Sequence, residues 1–144
     1  MIGVTPYISF NGNCEEAMNF YVECMNGEIL FTQRFGDSPM AGEGMNDKIL
    51  HTSIKIGGST IMASDCPPGQ PVSSGNNISL AIGTNDVEQA EKFFNKMADG
   101  GKVTMPMQET FWAERFGMLT DKFGINWMFN CDKPESDHAK ATAQ

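Results

Sequence analysis

Imidazole is scarce in this chain of 144 residues: His51 and His138 are its two histidines, beside 18 carboxylates and four thiols. Histidine trades protons near neutral pH and is the commonest ligand of divalent metals, so its placement limits the chemistry available. His138 falls in a polar tail over residues 132–144. A two-histidine, one-carboxylate metal triad would therefore need that tail or a second chain to supply a ligand. His51 has two readings: a group that contacts a ligand or moves a proton, or a half-buried imidazole that holds a loop or a carboxylate. The thiols Cys14, Cys24, Cys66 and Cys131 form no C-x-x-C pair. A chain of this size needs no disulfide staples, so free thiols are expected. The run Glu109-Thr110-Phe111-Trp112-Ala113-Glu114-Arg115-Phe116 mixes aromatic surface with charge. On a strand Glu114 and Arg115 point to opposite faces, as one pocket group and one surface or interface group, and Glu109 and Glu114 also fall on opposite sides. That spacing argues against paired carboxylates. Trp112 reads either as core or as pocket wall.

An internal repeat supplies the elements that position these groups. Sliding the chain by 73 residues lays Asn13-Cys14-Glu15-Glu16-Ala17-Met18-Asn19-Phe20-Tyr21 on Asp86-Val87-Glu88-Gln89-Ala90-Glu91-Lys92-Phe93-Phe94. Each segment opens with an N-cap acceptor, Asn13 or Asp86, and carries Glu16 or Gln89 three residues on, as in a capping box. Apolar residues then follow helical spacing: Cys14, Ala17, Met18, Tyr21 and Met25 in the first, Val87, Ala90, Phe94 and Met97 in the second. The same offset carries Gly27 onto Gly100, where a left-handed C-cap would stop each helix. β-forming stretches precede the helices at residues 4–10 and 78–83 and follow them at 29–35 and 103–108. Residues 52–56 and 59–63 alternate around Gly57-Gly58, a pair that favours a two-residue hairpin turn. Residues 116–119 and 125–130, around a turn at 120–124, are the counterpart. The loop at 37–47 and the connector at 66–77 are boundaries, and Asp65 with Cys66 is expected to serve a turn.

Strand parity then selects a face. With Gly57-Gly58 as the turn, His51 stands opposite Ser64, Ser53 opposite Met62 and Lys55 opposite Thr60. Ile54, Ile56, Ile61 and Ala63 take the other face, beneath a helix. The polar row is expected to line a cavity.

The remaining composition narrows the partners. A formal charge of −8 repels phosphate backbones and anionic lipid surfaces, so neither nucleic acid nor membrane is expected. No run reaches the ~20 apolar residues of a membrane span. Residues 1–7 lack a signal-peptide profile, and the expected location is cytoplasmic. The P-loop, nucleophile-elbow and dinucleotide motifs are absent. Eleven methionines fit adaptable packing better than a soft-metal surface, since Met18, Met25 and Met97 sit on helix core faces.

The duplicated unit, the start Pro6-Tyr7-Ile8-Ser9-Phe10-Asn11-Gly12-Asn13-Cys14-Glu15-Glu16-Ala17-Met18-Asn19-Phe20-Tyr21, and the run from Gln108 to Trp127 resemble the vicinal-oxygen-chelate superfamily. That superfamily includes glyoxalase I, bleomycin-resistance proteins and extradiol dioxygenases, and the resemblance is nearest to its PhnB-like branch, over residues 4–131. Lys122 departs from the proline common at that turn. The resemblance implies one α+β glyoxalase-like domain over residues 1–144. It has two βαβββ repeats, about 3–66 and 77–131, forming a curved, half-open mixed sheet with helices outside. It also implies a divalent metal held by first-strand and last-strand residues of each unit, at positions mapped here to Pro6 and Ser79, and to Met62 and Met128. Proline offers no donor, a lone hydroxyl is a poor ligand, and thioethers suit soft Cu(I). The expectation is therefore no metal and no cofactor. The pocket is assigned to His51, Ser53, Met62, Ser64, Ser79, Trp112, Glu114 and Met128. The expected protein is a homodimer that binds a small molecule. Methyl transfer, a label some relatives carry, lacks a glycine-rich strand-to-helix loop. The other reading is a metal-dependent lyase, isomerase or dioxygenase with an unconventional site around His51 and Glu114.

Overall fold

Residues 2–39, 44–67 and 69–133 are described by the computed structural model. His138, the tail beyond Lys133 and residues 40–43 of the predicted loop lie outside them. Along the chain two compact units divide between Ser73 and Ser74. The first unit runs β1 (Tyr7–Phe10), α1 (Cys14–Cys24), β2 (Glu28–Arg34), a 3-10 turn (Phe35–Asp37), β3 (Ile49–Ile56) and β4 (Ser59–Asp65). The second runs β5 (Leu80–Thr84), α2 (Val87–Met97), β6 (Lys102–Gln108), β7 (Ala113–Thr120) and β8 (Asn126–Asp132). The sheets are ordered β1-β4-β3-β2 and β5-β8-β7-β6. In each, the first strand runs parallel to the last and the other pairs are antiparallel. The α+β class and the repeated βαβββ unit follow the sequence reading. β8 extends to Asp132, one residue into the predicted tail. Among the described residues no helix is long and apolar enough to cross a membrane.

Each helix covers one face of its own sheet. In the first unit Cys14, Ala17, Met18, Tyr21 and Met25 are buried, as are Ile54, Ile56, Ile61 and Ala63 on the sheet. In the second, Ala90, Phe93, Phe94 and Met97 of α2 are buried, with Leu119, Trp127, Phe129 and Cys131 on the sheet. Phe94 meets Phe129 edge to face at 5.6 Å. Phe93 replaces the expected Val87, which is half-buried at the first turn of α2.

The caps differ between the halves. Asp86 caps α2 as expected, accepting the amide of Gln89 at 3.1 Å. Asn13 makes no side-chain cap bond in α1. There Asp65, at the end of β4, accepts the amides of Gly12 (3.0 Å) and Cys14 (2.9 Å) on Oδ1 and that of Ile49 (2.9 Å) on Oδ2. Asp65 is thus a tie between α1, β3 and β4 rather than a local turn former. The helix ends differ too. Gly100 takes the expected left-handed φ of 75°, but after α1 that conformation belongs to Asn26, at 52°. Gly27 is instead required by close approach, since a Cβ there would lie 2.5 Å from the Lys55 carbonyl oxygen.

The β3–β4 register matches the parity reading, with Ser53 opposite Met62 and Lys55 opposite Thr60 around Gly57-Gly58. The relation between the first strands is shifted. Met62 neighbours Tyr7, whereas Met128 neighbours Ala81. Met62 and Met128 are 66 residues apart, so the first strands correspond at an offset of 74 (7 to 81) and not 73. Residues 11–13 separate β1 from α1, while only residues 85–86 separate β5 from α2. This corrects the mapping: the counterpart of Ser79 is Thr5, not Pro6.

Asp65→Ala leaves three backbone amides without their acceptor and should destabilise the protein by roughly 3–5 kcal/mol. Asp86→Ala, which removes a single exposed cap, should cost about 1 kcal/mol. Urea midpoints of the two variants check this, and equal losses would refute the tie assigned to Asp65.

Candidate functional site

The faces turned away from the helices carry the side chains that the cores do not use. In the first unit, register places Tyr7, Met62, Ser53 and Phe31 in one row across β1, β4, β3 and β2. Ser9 lies opposite Ser64, and His51 opposite Gln33. His51, Ser53, Met62 and Ser64 are half-buried, whereas Tyr7 and Phe31 are each 49% exposed. The His51 ring stacks on Tyr7, with centroids 5.6 Å apart, and leans towards Phe31 at 5.9 Å. Its Nδ1 shares a hydrogen bond with Tyr7 Oη at 3.1 Å, the donor being set by the imidazole tautomer. His51 therefore holds a tyrosine rather than a carboxylate, between two aromatic rings.

In the second unit one row runs Ala81, Met128, Met118, Met105 across β5, β8, β7 and β6. The next runs Gly83, Asn130, Phe116, Gln108. Trp112 packs edge to face on Phe116 at 5.3 Å and on the exposed Phe111 at 4.9 Å. Trp112, Phe116, Met118, Met128 and Asn130 are half-buried, as is Ser79 just before β5. Trp112 thus belongs to the Phe116 cluster, while the other tryptophan, Trp127, is fully buried. Tyr7, Phe31, Phe116, Met118 and Asn130 were not singled out by sequence. Reading the two-residue period of β1, β2, β7 and β8 across the strands would have found them.

The charged groups around Trp112 separate. The β7–β8 register shifts between Ala113 and Arg115, so Glu114 sits at an irregularity where simple alternation fails. Arg115 binds Glu91 of α2 through Nε at 2.9 Å, and its Nη1 donates to the Glu114 carbonyl at 2.7 Å. Glu109 pairs with Lys133 at 3.4 Å. The buried Asp121 accepts the amides of Phe123 and Ile125 and the indole N–H of Trp127. Of these carboxylates Asp121 is the buried tie, while the Glu91 and Glu109 pairs lie at the surface.

The donor set does not fit a divalent ion. The first unit offers the Thr5 hydroxyl and the Met62 thioether at the mapped positions, the second the Ser79 hydroxyl and the Met128 thioether. Zn, Ni, Mn and Fe(II) favour imidazole, carboxylate or thiolate. Among the described residues no three His, Cys, Asp or Glu side chains cluster.

Burial favours the neutral form of two thiols, Cys14 and Cys131. Burial pushes Cys14 up to about 12, with Asp65 and Glu15 adding to the effect, and burial also raises Cys131, with Glu114 adding to it. Cys24 is buried, and Cys66 is half-buried with Sγ donating to Asn11 Oδ1 at 3.1 Å. With its pKa pushed up to about 12, the Cys14 thiol stays protonated at pH 8. An aromatic disulfide reagent at pH 8 should therefore modify one thiol of the native protein, Cys66, and all four after denaturation. Rapid native reaction of Cys14 would contradict this environment.

Comparison with known proteins supports the fold. A family model described as 3-demethylubiquinone-9 3-methyltransferase matches residues 3–129. Protein YjdN of Escherichia coli (strain K12) is 38% identical over 143 residues, spanning 92% of this chain and 97% of that protein. The crystal structure of protein PA1353 from Pseudomonas aeruginosa is 40% identical and superposes with a TM-score of 0.85, over 93% of this chain and 100% of that one. A glyoxylase/bleomycin resistance protein/dioxygenase domain from Frankia sp. EAN1pec, 14% identical over 97% of this chain and 98% of that one, has a TM-score of 0.68 and shares the fold alone.

Proposed function

The chain belongs to the 3-demethylubiquinone-9 3-methyltransferase family, the PhnB-like branch of the glyoxalase fold, and on that premise we propose that it binds a small organic molecule on helix-free sheet faces without a divalent ion. The observation that carries the proposal is the character of those faces. Tyr7, His51, Phe31, Ser53 and Met62 in one unit, and Trp112, Phe116, Met118 and Met128 in the other, combine flat apolar surface with a few hydrogen-bonding groups. Sites for small molecules have that composition. Thioethers and hydroxyls at the mapped metal positions support binding by contact rather than by coordination.

The methyl transfer named in the family's description is not part of the proposal. The strand-to-helix turns at residues 11–13 and 85–86 are not glycine-rich. Their amides and helix ends are engaged by Asp65 and Asp86, leaving little for a donor's carboxylate or phosphate. The proposal extends to a homodimer in the cytoplasm. The edge strand β2 exposes Ile29 and Leu30 at 49–50%, an apolar edge of the kind that a second chain covers.

Thermal shift against small aromatic, quinone and thiol-adduct ligands tests this reading. At a hundredfold excess over Kd a bound ligand adds about 2.7 kcal/mol, a rise in Tm of roughly 5–10 °C. The rise should be the same with a chelator present. A rise abolished by the chelator and restored by Zn, Ni or Mn would favour the metal-dependent lyase, isomerase or dioxygenase and overturn the proposal.

A further inference from the structure

The second unit's helix-free face contains a polar atom without a partner. Asn130 Nδ2 donates to Asp132 Oδ1 at 2.7 Å, while Asn130 Oδ1 is shut from solvent and accepts no hydrogen bond from the described residues. Turning the amide over would set its oxygen against the Asp132 carboxylate, so the observed orientation is the favourable one. A buried carbonyl left unpaired costs stability, and such atoms call for an explanation.

The surroundings supply one. Asn130 stands between Gly83 of β5 and Phe116 of β7. A Cβ on Gly83 would meet nothing within 4 Å, so there is open space over β5 at the position paired with Asn130. On the other side Phe116 and Trp112 form an aromatic wall, and Met118 and Met128 in the next row add soft, polarizable surface. An aromatic plane laid over Gly83 and Ala81 would contact the thioethers and rings. A donor on its edge would meet the acceptor once the Asn130 side chain turns to expose Oδ1. The neighbouring Asp132 and the chain's net charge of −8 disfavour an anion there.

Resting on the binding function proposed above, we infer that this face takes an uncharged planar aromatic molecule bearing an O–H or N–H donor, which Asn130 Oδ1 accepts. Methionine and aromatic contacts supply the affinity, and Asn130 supplies the discrimination.

Titration calorimetry with 2-naphthol and 2-methoxynaphthalene tests the inference, because the two probes share a ring system and differ in the donor. The native protein should bind 2-naphthol about tenfold more tightly, the usual scale for one buried hydrogen bond. Asn130→Leu should bind the two equally. Gly83→Val, which suits a strand and fills the gap, should weaken both at least tenfold and keeps the test alive if Asn130→Leu fails to fold. Equal binding of both probes by the native protein, or a preference that survives Asn130→Leu, overturns the role of Asn130 while leaving small-molecule binding in place. Binding unaffected by Gly83→Val moves the site off this face and also overturns the inference. If neither probe binds the native protein, the inference falls, and the proposed function falls with it only if the whole thermal-shift panel is also silent.

Discussion

A β-strand turns successive side chains to opposite sides, and each four-stranded sheet here has one helix to cover one of its sides. The rest of the molecule depends on that constraint. Where α1 and α2 lie, the inward residues are closely packed and apolar: Ile54, Ile61 and Ala63 in one unit, Leu119, Trp127 and Phe129 in the other. The intervening residues of the same strands must face elsewhere, and they are of a different kind. His51, Ser53, Met62, Met118, Met128 and Asn130 are all half-buried. A one-residue slip in any strand would exchange the two sets, so register is specified by the burial itself.

Buried carboxylates hold that register where the turns alone do not. Asp65 joins the start of α1 to β3 and β4 through three amides, and Asp121 fixes the β7–β8 turn while binding the indole of Trp127. Each such acceptor matters more than a single bond, because losing it strands several donors at once. The bonds commit these acids to joining elements of the fold, and burial favours the neutral thiols of Cys14 and Cys131.

Much of this was legible in the chain because the relevant signals are local. The helices announce themselves by caps and by apolar spacing, and Gly57-Gly58 fixes the hairpin that puts Ser53 beside Met62. The misreadings come from relations between distant residues. The helix match dominates the offset of 73 and hides the extra residue between β1 and α1, so Pro6 stood in for Thr5 and Tyr7 went unnoticed. Gly27 looked like a cap because its contact with Lys55 lies across the sheet. Glu114 escaped parity because a register shift interrupts β7. Asp65 reads locally as a turn residue because its partners Gly12 and Cys14 are more than fifty residues away.

The central claim is that the helix-free faces meet the ligand while the helix-covered faces remain a closed core. Methionine reports on both, since Met118 and Met128 lie on a helix-free face and Met18, Met25 and Met97 are at most 2% exposed in the cores. In carbon–proton spectra of protein labelled at the methionine methyl groups, saturating 2-naphthol should move the signals of Met118 and Met128 and leave Met18, Met25 and Met97 in place. Movement confined to the three core methionines, with Met118 and Met128 unchanged, would contradict the account.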